Sequence, residues 1–121
     1  MDFSFERLVV WQKSRVLVKE IYRLSTSFPH EEKFGLIDQL RRAAVSVSSN
    51  LAEGSGRMSA KEKIHFCEIA YGSLMEVMCQ LLLAYDLSLL PGTELTRLRP
   101  LIEEIGRLIS LYRRSLVASF Q

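Results

Sequence analysis

The chain has 121 residues, of which 48% are apolar and 25% charged, and its 16 basic and 14 acidic residues leave a formal net charge of +2. This length predicts a single domain, residues 1–121, and the high apolar content excludes an intrinsically disordered chain. The stretch without a charged residue from Val77 to Tyr85 is far shorter than the roughly 18 residues of a membrane span. Acidic residues stand where a secretion signal would begin, so we expect a soluble, cytoplasmic protein with no membrane partner.

Apolar residues recur at helical spacing along almost the whole chain. The first predicted helix covers about residues 5–27, with Ser4 as its N-cap and Pro29 beyond its end. The second covers about residues 31–54, and Gly54 is expected to be its C-terminal glycine.

The third predicted helix, about residues 59–90, is the longest. Ser59 and Glu62 open it with the S-x-x-E spacing of a capping box. Apolar residues occur on all of its sides, which indicates burial on more than one side. Its two cysteines, Cys67 and Cys79, are about 18 Å apart along such a helix and cannot form a disulfide with each other. We expect both to be buried free thiols in a reducing compartment.

The fourth predicted helix, about residues 93–118, is capped by Thr93 and contains Pro100. The proline should bend the helix, and a break at Arg99 is the alternative. No strand pattern of period two is visible. Four helices joined by short loops predict an all-α fold, an antiparallel up-down four-helix bundle.

Motifs for catalysis or metal binding are sparse. Glu62 and His65 form one E-x-x-H, but di-iron bundles use two such motifs with two further glutamates. The other histidine, His30, lies in a connection, and no glycine-rich phosphate loop with a following lysine occurs. We therefore expect no metal, no cofactor and no catalytic residue, and predict that the protein is not an enzyme.

A polar stripe runs along one face of the second predicted helix. Its members are three or four residues apart: Gln39, Arg42, Ser46, Asn50 and Glu53. The third predicted helix carries a counterpart: Ser73, Glu76 and Gln80, beside Gly72. Two interpretations stay open. The stripe is a solvated face, or it is a polar network between helices or subunits in which Arg42 and Arg57 face Glu53 and Glu76.

Charge is distributed unevenly along the chain. Residues 1–30 and 91–121 each hold five basic and three acidic residues, residues 31–58 are balanced, and residues 59–90 hold two basic and four acidic residues. If the first and fourth helices are neighbours, they form a basic face, which is typical of nucleic-acid binding. Ordinary solvated charge is the alternative. The candidate nucleic-acid contacts are Arg15, Lys19, Arg23, Arg107 and Arg114.

Several longer motifs resemble a known family. The first motifs are Phe5-x-x-Leu8-x-Val10-Trp11 with Tyr22, and Phe28-Pro29-x-Glu31-x-x-x-Gly35-Leu36. The central motif is Gln39-Leu40-Arg41-Arg42-Ala43-Ala44-x-Ser46-Val47-x-x-Asn50-Leu51-Ala52-Glu53-Gly54, followed by Gly56-Arg57. The last is Ile69-Ala70-x-Gly72-Ser73-x-x-Glu76. Together they resemble the bacterial four-helix-bundle proteins encoded by intervening sequences in 23S ribosomal RNA genes, sometimes labelled S23 ribosomal proteins.

The resemblance covers about residues 3–115 and implies a homopentameric ring of up-down bundles. More distantly, the chain is similar to the accessory protein of diversity-generating retroelements, a pentameric bundle that binds its reverse transcriptase and nucleic acid. The resemblance carries no catalytic residue with it. It matches the fourth helix only loosely.

Two functions of different class follow. The first is a non-enzymatic oligomeric scaffold that binds nucleic acid, structured RNA above all, through basic residues of the first and fourth helices. The second is a purely protein-binding or structural ring that docks a partner enzyme without nucleic acid. In either case we expect the polar stripe at contacts between helices or subunits.

Overall fold

The structure, a computed structural model, describes residues 2–120, without the side chains at positions 33, 34 and 120. The described residues form four α-helices and no strand, which confirms the all-α prediction. The helices are α1 (Val9–Ser25), α2 (Asp38–Ser55), α3 (Ala60–Asp86) and α4 (Gly92–Phe120). α1 packs against α2 and α4, and α3 packs against the same two helices.

All four helices contribute to a common hydrophobic core. Leu17, Leu40, Leu74 and Ile105 come from α1 to α4 in turn, and each is fully buried. Each belongs to an apolar stripe with helical spacing, so folding removes one face of every helix from water. Full burial of one such side chain stabilises the fold by roughly 1.5–3 kcal/mol.

α1 begins later than the sequence predicts. A 3₁₀ turn, Ser4–Arg7, precedes it, and the extended backbone of Leu8 (φ −74°, ψ 121°) separates the two elements. Ser4 is therefore not the N-cap of α1, a position that Leu8 takes without a side-chain hydrogen bond. Phe5 packs edge-on against Trp11 with ring centroids 4.8 Å apart. This aromatic contact folds the turn back onto α1, which capping chemistry alone does not anticipate.

α2 also begins later, at Asp38 and not near Glu31. A 3₁₀ turn (His30–Glu32) and a π-type turn (Lys33–Ile37) precede the regular helix. Within the π-type turn, Gly35 leaves the helical region at φ −106° and ψ −109°. Glycine is a poor helix former, and its place here explains why the predicted first turns of the helix are irregular.

Gly54 lies inside α2 and does not end it. The helix continues to Ser55, and Gly56 is the C-cap. A Cβ atom on Gly54 would lie 2.7 Å from the Cβ of Phe66 on α3, closer than two carbon atoms can pack. The predicted role of Gly54 as the C-terminal glycine is therefore wrong. Its lack of a side chain allows α2 and α3 to approach each other.

α3 begins where the sequence predicts and ends earlier. The Ser59 hydroxyl accepts a hydrogen bond from the backbone N–H of Glu62, with the oxygen and nitrogen 3.1 Å apart. The helix ends at Asp86, before the predicted Leu90, and Ser88 in the following turn has a positive φ of 63°. Leu90 then returns to the core.

α4 is one helix on both sides of Pro100. The alternative of a break at Arg99 is therefore wrong, because the helical assignment continues through that residue. The helix begins at Gly92, one residue before the predicted Thr93, which is within the usual uncertainty of helix ends.

Candidate nucleic-acid interface

The groove between α1 and α2 contains basic side chains. One part of it is lined by Arg15, Val18, Lys19, Val45 and Ser48. Arg15 and Lys19 are four residues apart and share a side of α1. The Arg15 guanidinium lies over the ring of Trp11, 5.0 Å from its centroid. Among the side chains that the structure describes, no carboxylate oxygen lies within 4.0 Å of the cationic nitrogens of Arg15 or Lys19.

Towards the start of α2 the same groove contains two more arginines. Its lining there is Tyr22, Asp38, Arg41, Arg42, Val45 and Ser46. Arg41 lies over the ring of Tyr22, 4.5 Å from the centroid, and its Nε donates to the Ser25 hydroxyl at 2.9 Å. Arg42 pairs with Asp38 at 3.0 Å. We name this surface the basic groove and define it by four cations: Arg15, Lys19, Arg41 and Arg42.

Arg41 is a residue that sequence reasoning missed. Consecutive helical residues point about 100° apart, so the spacing of the polar stripe includes only one residue of the Arg41-Arg42 dipeptide. The spacing assigned Arg42 to the polar stripe and left Arg41 without a role. Only the packing of α1 against α2 shows that Arg41 lies beside Tyr22.

Arg23 takes part in an ion cluster between α1 and α4. It pairs with Glu20 at 3.0 Å and with Glu94 at 2.8 Å, and Arg97 pairs with the same two carboxylates. Chiefly through its hydrogen bonds, Arg97 lowers the pKa of both carboxyl groups below the usual range for glutamate. The hydrogen bond to Glu94 is the main cause that raises the pKa of Arg23. Two arginines and two glutamates balance here, so the charge of Arg23 is already matched within the chain.

Arg107 and Arg114 lie elsewhere. Arg107 lines a groove between α3 and α4, whereas Arg15 and Lys19 line the groove between α1 and α2. Arg114 is exposed near the end of α4. α1 and α4 are neighbours, but the five predicted contact residues do not come together on one basic face.

The reason lies in the side of α4 that faces α1, which carries carboxylates. Glu104 pairs with Lys13 at 3.3 Å, and Glu94 pairs with Arg23. The contact between α1 and α4 is thus built from opposite charges. The cations without a carboxylate partner, such as Arg15 and Lys19, lie away from this contact.

Three members of the predicted polar set meet at the contact of α2 and α3. The hydroxyl oxygens of Ser46 and Ser73 are 2.8 Å apart. The side-chain amide of Asn50 donates to the backbone oxygen of Ser46 at 2.8 Å and to its hydroxyl at 3.0 Å. These bonds satisfy polar groups at a partly buried contact, where an unpaired group would cost roughly 1–3 kcal/mol.

A second polar contact joins Gln39 to Gln80. The Gln80 side-chain nitrogen is 3.4 Å from the Gln39 oxygen and 3.3 Å from a carboxylate oxygen of Glu76. Gln80 is buried, and its own side-chain oxygen has no partner among the described residues. Both polar contacts lie between α2 and α3, so they constrain how these two helices are aligned.

The charged ends of the polar stripe pair locally. Arg42 bonds to Asp38, one turn before it, and not to Glu53 or Glu76 as predicted. Arg57 is 3.8 Å from the Glu53 carboxylate, and its guanidinium lies 4.7 Å from the ring centroid of Phe66. Neighbours four residues apart on a helix are always within reach, and these local pairs form in place of the predicted contact of Arg42 with α3.

The outward face of α3 is apolar. It exposes six large side chains, each between 37% and 49% accessible: Ile69, Tyr71, Met75, Leu82, Leu83 and Tyr85. Cys79 is exposed on this helix as well, so the expectation that both cysteines are buried is wrong for it. Cys67 is buried, and this burial raises the pKa of its thiol to about 11.

α3 also changes the expectation about membrane spans. Among the described residues it is the one helix that is long and apolar enough to cross a membrane, by length and composition. The length of uncharged stretches does not reveal this property, because a membrane-spanning helix tolerates one or two charged residues. The core helix of a soluble protein has the same length and composition, and α3 packs against both α2 and α4.

His65 of the E-x-x-H motif is exposed near the start of α3, next to Phe66. Within the part of the chain that the structure describes, no three His, Cys, Asp or Glu side chains come together as a possible metal site. The geometry that remains for function is the basic groove on one side of the molecule and the outward face of α3 on another.

Comparison with known proteins identifies a family whose model covers both surfaces. The family model described as 23S rRNA-intervening sequence protein matches residues 6–111, from the turn before α1 to well inside α4. No curated protein matches the chain. The match includes the basic groove and the whole of α3, and the chain belongs to the 23S rRNA-intervening sequence protein family.

Proposed function

We propose that this chain is a non-enzymatic, oligomeric scaffold of the bacterial cytoplasm that binds nucleic acid, with structured RNA as the ligand. The observation that carries the proposal is the basic groove, where Arg15, Lys19, Arg41 and Arg42 line one continuous surface with a single carboxylate, Asp38. The family description refers to a 23S rRNA intervening sequence, which makes structured RNA the first nucleic acid to test.

The chemistry of the groove suits a phosphate backbone. Phosphate contacts from Arg and Lys release condensed counterions and supply most of the affinity that does not depend on sequence. Arg15 and Arg41 are stacked on Trp11 and Tyr22, so each guanidinium is held by a ring face. The N–H groups that make no hydrogen bond within the chain can reach a phosphate. The proposal assigns no catalytic residue, cofactor or metal.

The proposal includes an antiparallel course of the helices. What supports it is the order of the pairs between α1 and α4: Lys13 with Glu104, Glu20 with Arg97, and Arg23 with Glu94. As the residue number rises along α1, it falls along α4. The same reversal holds between α2 and α3, where Gln39 bonds to Gln80 and Ser46 to Ser73.

The proposal also includes assembly into a homopentameric ring, which the family resemblance implies. A ring repeats the basic groove once per subunit, and phosphate contacts add with each copy. A weak surface on one chain would thereby bind a long nucleic acid tightly.

Binding of a fluorescently labelled, structured RNA to nuclease-treated protein tests the proposal. We expect the double variant Arg15→Glu, Lys19→Glu to lose about tenfold or more in affinity, because two phosphate contacts become repulsive. The matched control, Arg7→Glu with Arg114→Glu, changes the net charge equally at two exposed residues outside the groove and should lose much less. Absence of binding at about 50 mM salt, or equal losses for both variants, would contradict the proposal.

The second candidate function is favoured by a different observation, the apolar outward face of α3. A purely protein-binding or structural ring would use that face to dock a partner enzyme and would leave the basic groove without a ligand. A pulldown from the native host separates the two functions, because co-purified protein without RNA supports the second candidate and co-purified RNA supports the first.

A further inference from the structure

We propose that the outward face of α3 is a head-to-tail contact between copies of this chain, in which each subunit uses two different sides of the same helix. The inference rests on the proposed oligomeric scaffold and names the surfaces that build it. The side of α3 that lies next to α4 contacts the partner subunit's α3. The partner subunit uses the other side of that helix, the one next to α2.

The side of α3 next to α4 forms a groove with the composition of a protein–protein contact. Tyr71, Met75 and Met78 of α3 line it. Its edge on α4 carries two arginines and one glutamate, Arg99, Arg107 and Glu103. Tyrosine, methionine and arginine are the residue types enriched in such contacts, while lysine is depleted. In the described part of the chain, neither arginine has a carboxylate within 4.0 Å.

The side next to α2 has the opposite charge. Glu76 lies there, because it accepts a hydrogen bond from Gln80, which contacts Gln39 of α2. Ile69 lies about 40° from Ser73, the residue bonded to α2, and shares this side, whereas Gly72 lies between the two sides, about 100° from both Tyr71 and Ser73.

Gly72 points to a partner outside the chain. It lies in the interior of α3, where glycine is less favourable than alanine. An added Cβ would meet nothing within 4 Å, so no contact within the chain requires a glycine there. The contrast with Gly54, where a Cβ would overlap Phe66, is direct. A close approach by the partner subunit would explain why this position is a glycine, which no contact within the chain explains.

Charge complementarity identifies the occupant as a second copy. With two arginines and one glutamate, the edge on α4 is net basic, and the side with Glu76 is acidic, so one subunit offers both halves of a matching contact. The two sides lie roughly 120° apart around α3, at 100° per residue. When subunits join through two unlike surfaces, the subunit at each end of the row keeps one surface unpaired. The addition of subunits stops only when the two ends meet and a ring closes.

Light scattering of purified, nuclease-treated variants tests the contact. Met75→Glu places a charge on the side next to α4, and Ile69→Glu places one on the side next to α2, where Ile69 is 37% exposed. We expect each variant to be monomeric at micromolar concentration, with circular dichroism unchanged. Val16→Glu is the matched control, since Val16 is 46% exposed on α1 and Met75 is 42% exposed on α3. The control should keep the mass of the natural chain.

Mixing the two variants gives the sharper result. Met75→Glu keeps its side next to α2 intact, and Ile69→Glu keeps its side next to α4 intact. A head-to-tail contact therefore predicts a 1:1 heterodimer that grows no further. A mixture that stays monomeric would overturn the head-to-tail arrangement.

Charge exchange provides a second measurement. Glu76→Lys and Arg107→Glu should each lower the fraction of assembled protein, and the double variant should recover it. Additive losses in the double variant would contradict the pairing of Arg107 with Glu76 of the partner subunit.

Failure of this inference is distinguishable from failure of the proposed function. If the natural chain assembles and both α3 variants keep its mass, the contact lies elsewhere, and only the inference is overturned. If the natural chain is monomeric, the proposed ring and this contact both fall. RNA affinity, measured separately, then decides whether the basic groove binds nucleic acid.

Discussion

The basic groove and the outward face of α3 are two surfaces of one small fold, and they differ in the free energy of their contact with water. The cations of the basic groove are solvated at their charged ends while their stems and ring contacts lie on the protein. The outward face of α3 leaves large apolar side chains about two-fifths exposed, and each Å² of that surface costs roughly 25 cal/mol in water. A charged surface can exist without a partner, whereas an apolar one of this size gains free energy as soon as it is covered.

The largest expected effect is on the free energy of unfolding, and it distinguishes the inner side of α3 from its outer side at two adjacent residues. Leu81 is fully buried and Leu82 is 38% exposed. We expect Leu81→Ala to lower the free energy of unfolding by about 2–5 kcal/mol, because it leaves a cavity in the core. Leu82→Ala should change it by no more than about 0.5 kcal/mol.

Urea unfolding of the two variants in the monomeric Met75→Glu background measures both values without a contribution from assembly. Similar losses for the two variants would break the comparison, because they would mean that the outward face is packed within the chain itself.

Salt should act on the two surfaces in different ways. With three phosphate contacts from Arg15, Lys19 and Arg41, and a slope of roughly 0.7–0.9 per contact, RNA affinity should fall about 20- to 40-fold between roughly 50 and 200 mM salt. Assembly through α3 should weaken much less, since salt screens its charge pair but not its apolar contacts. Fluorescence anisotropy and light scattering over one salt series measure both. Loss of the assembled mass in step with RNA affinity would show that charges, and not apolar contacts, hold the subunits together.

The smallest expected effect concerns the ion cluster of Arg23, Arg97, Glu20 and Glu94. Because the pKa values of both carboxyl groups are lowered in the folded state, the stability that they contribute is present above the ordinary glutamate value of about 4.3. It is lost as the pH falls through their lowered values. Arg97→Gln should cost about 0.5–1 kcal/mol at neutral pH, since these pairs are largely exposed.

Urea unfolding of Arg97→Gln and the natural chain at neutral and strongly acidic pH measures this contribution. The difference between them should shrink as the carboxyl groups become protonated. Arg114→Gln is the control, because Arg114 is exposed and takes no part in this cluster. A difference that is constant with pH would show that Arg97 acts through packing and not through its ion pairs.

Local signals in the sequence were sufficient for much of the helical architecture. The apolar stripes locate all four helices, and the cap at Ser59 positions the start of α3. The beginnings of α1 and α2 were less accessible. One depends on the contact of Phe5 with Trp11, and the other on the conformation of Gly35, and neither follows from periodicity.

The candidate site was predicted only in part, for a geometric reason. Periodicity states which residues share a side of one helix, so Arg15 and Lys19 were placed together correctly as neighbours. It does not state which side of that helix faces which other helix. Arg41 was therefore missed, and Arg107 was grouped with a surface to which it does not belong.

By itself the sequence determined an all-α chain with four amphipathic helices, a surplus of apolar residues on the third helix, and family membership through its motifs. These properties depend on residue spacing and composition, which are local. Only the tertiary structure decided that the unmatched cations meet between α1 and α2, that Arg23 is neutralised by Glu94, and that Gly54 is enclosed while Gly72 is open. Such facts depend on the rotation of each helix against its neighbours, and that rotation results from packing the whole core at once.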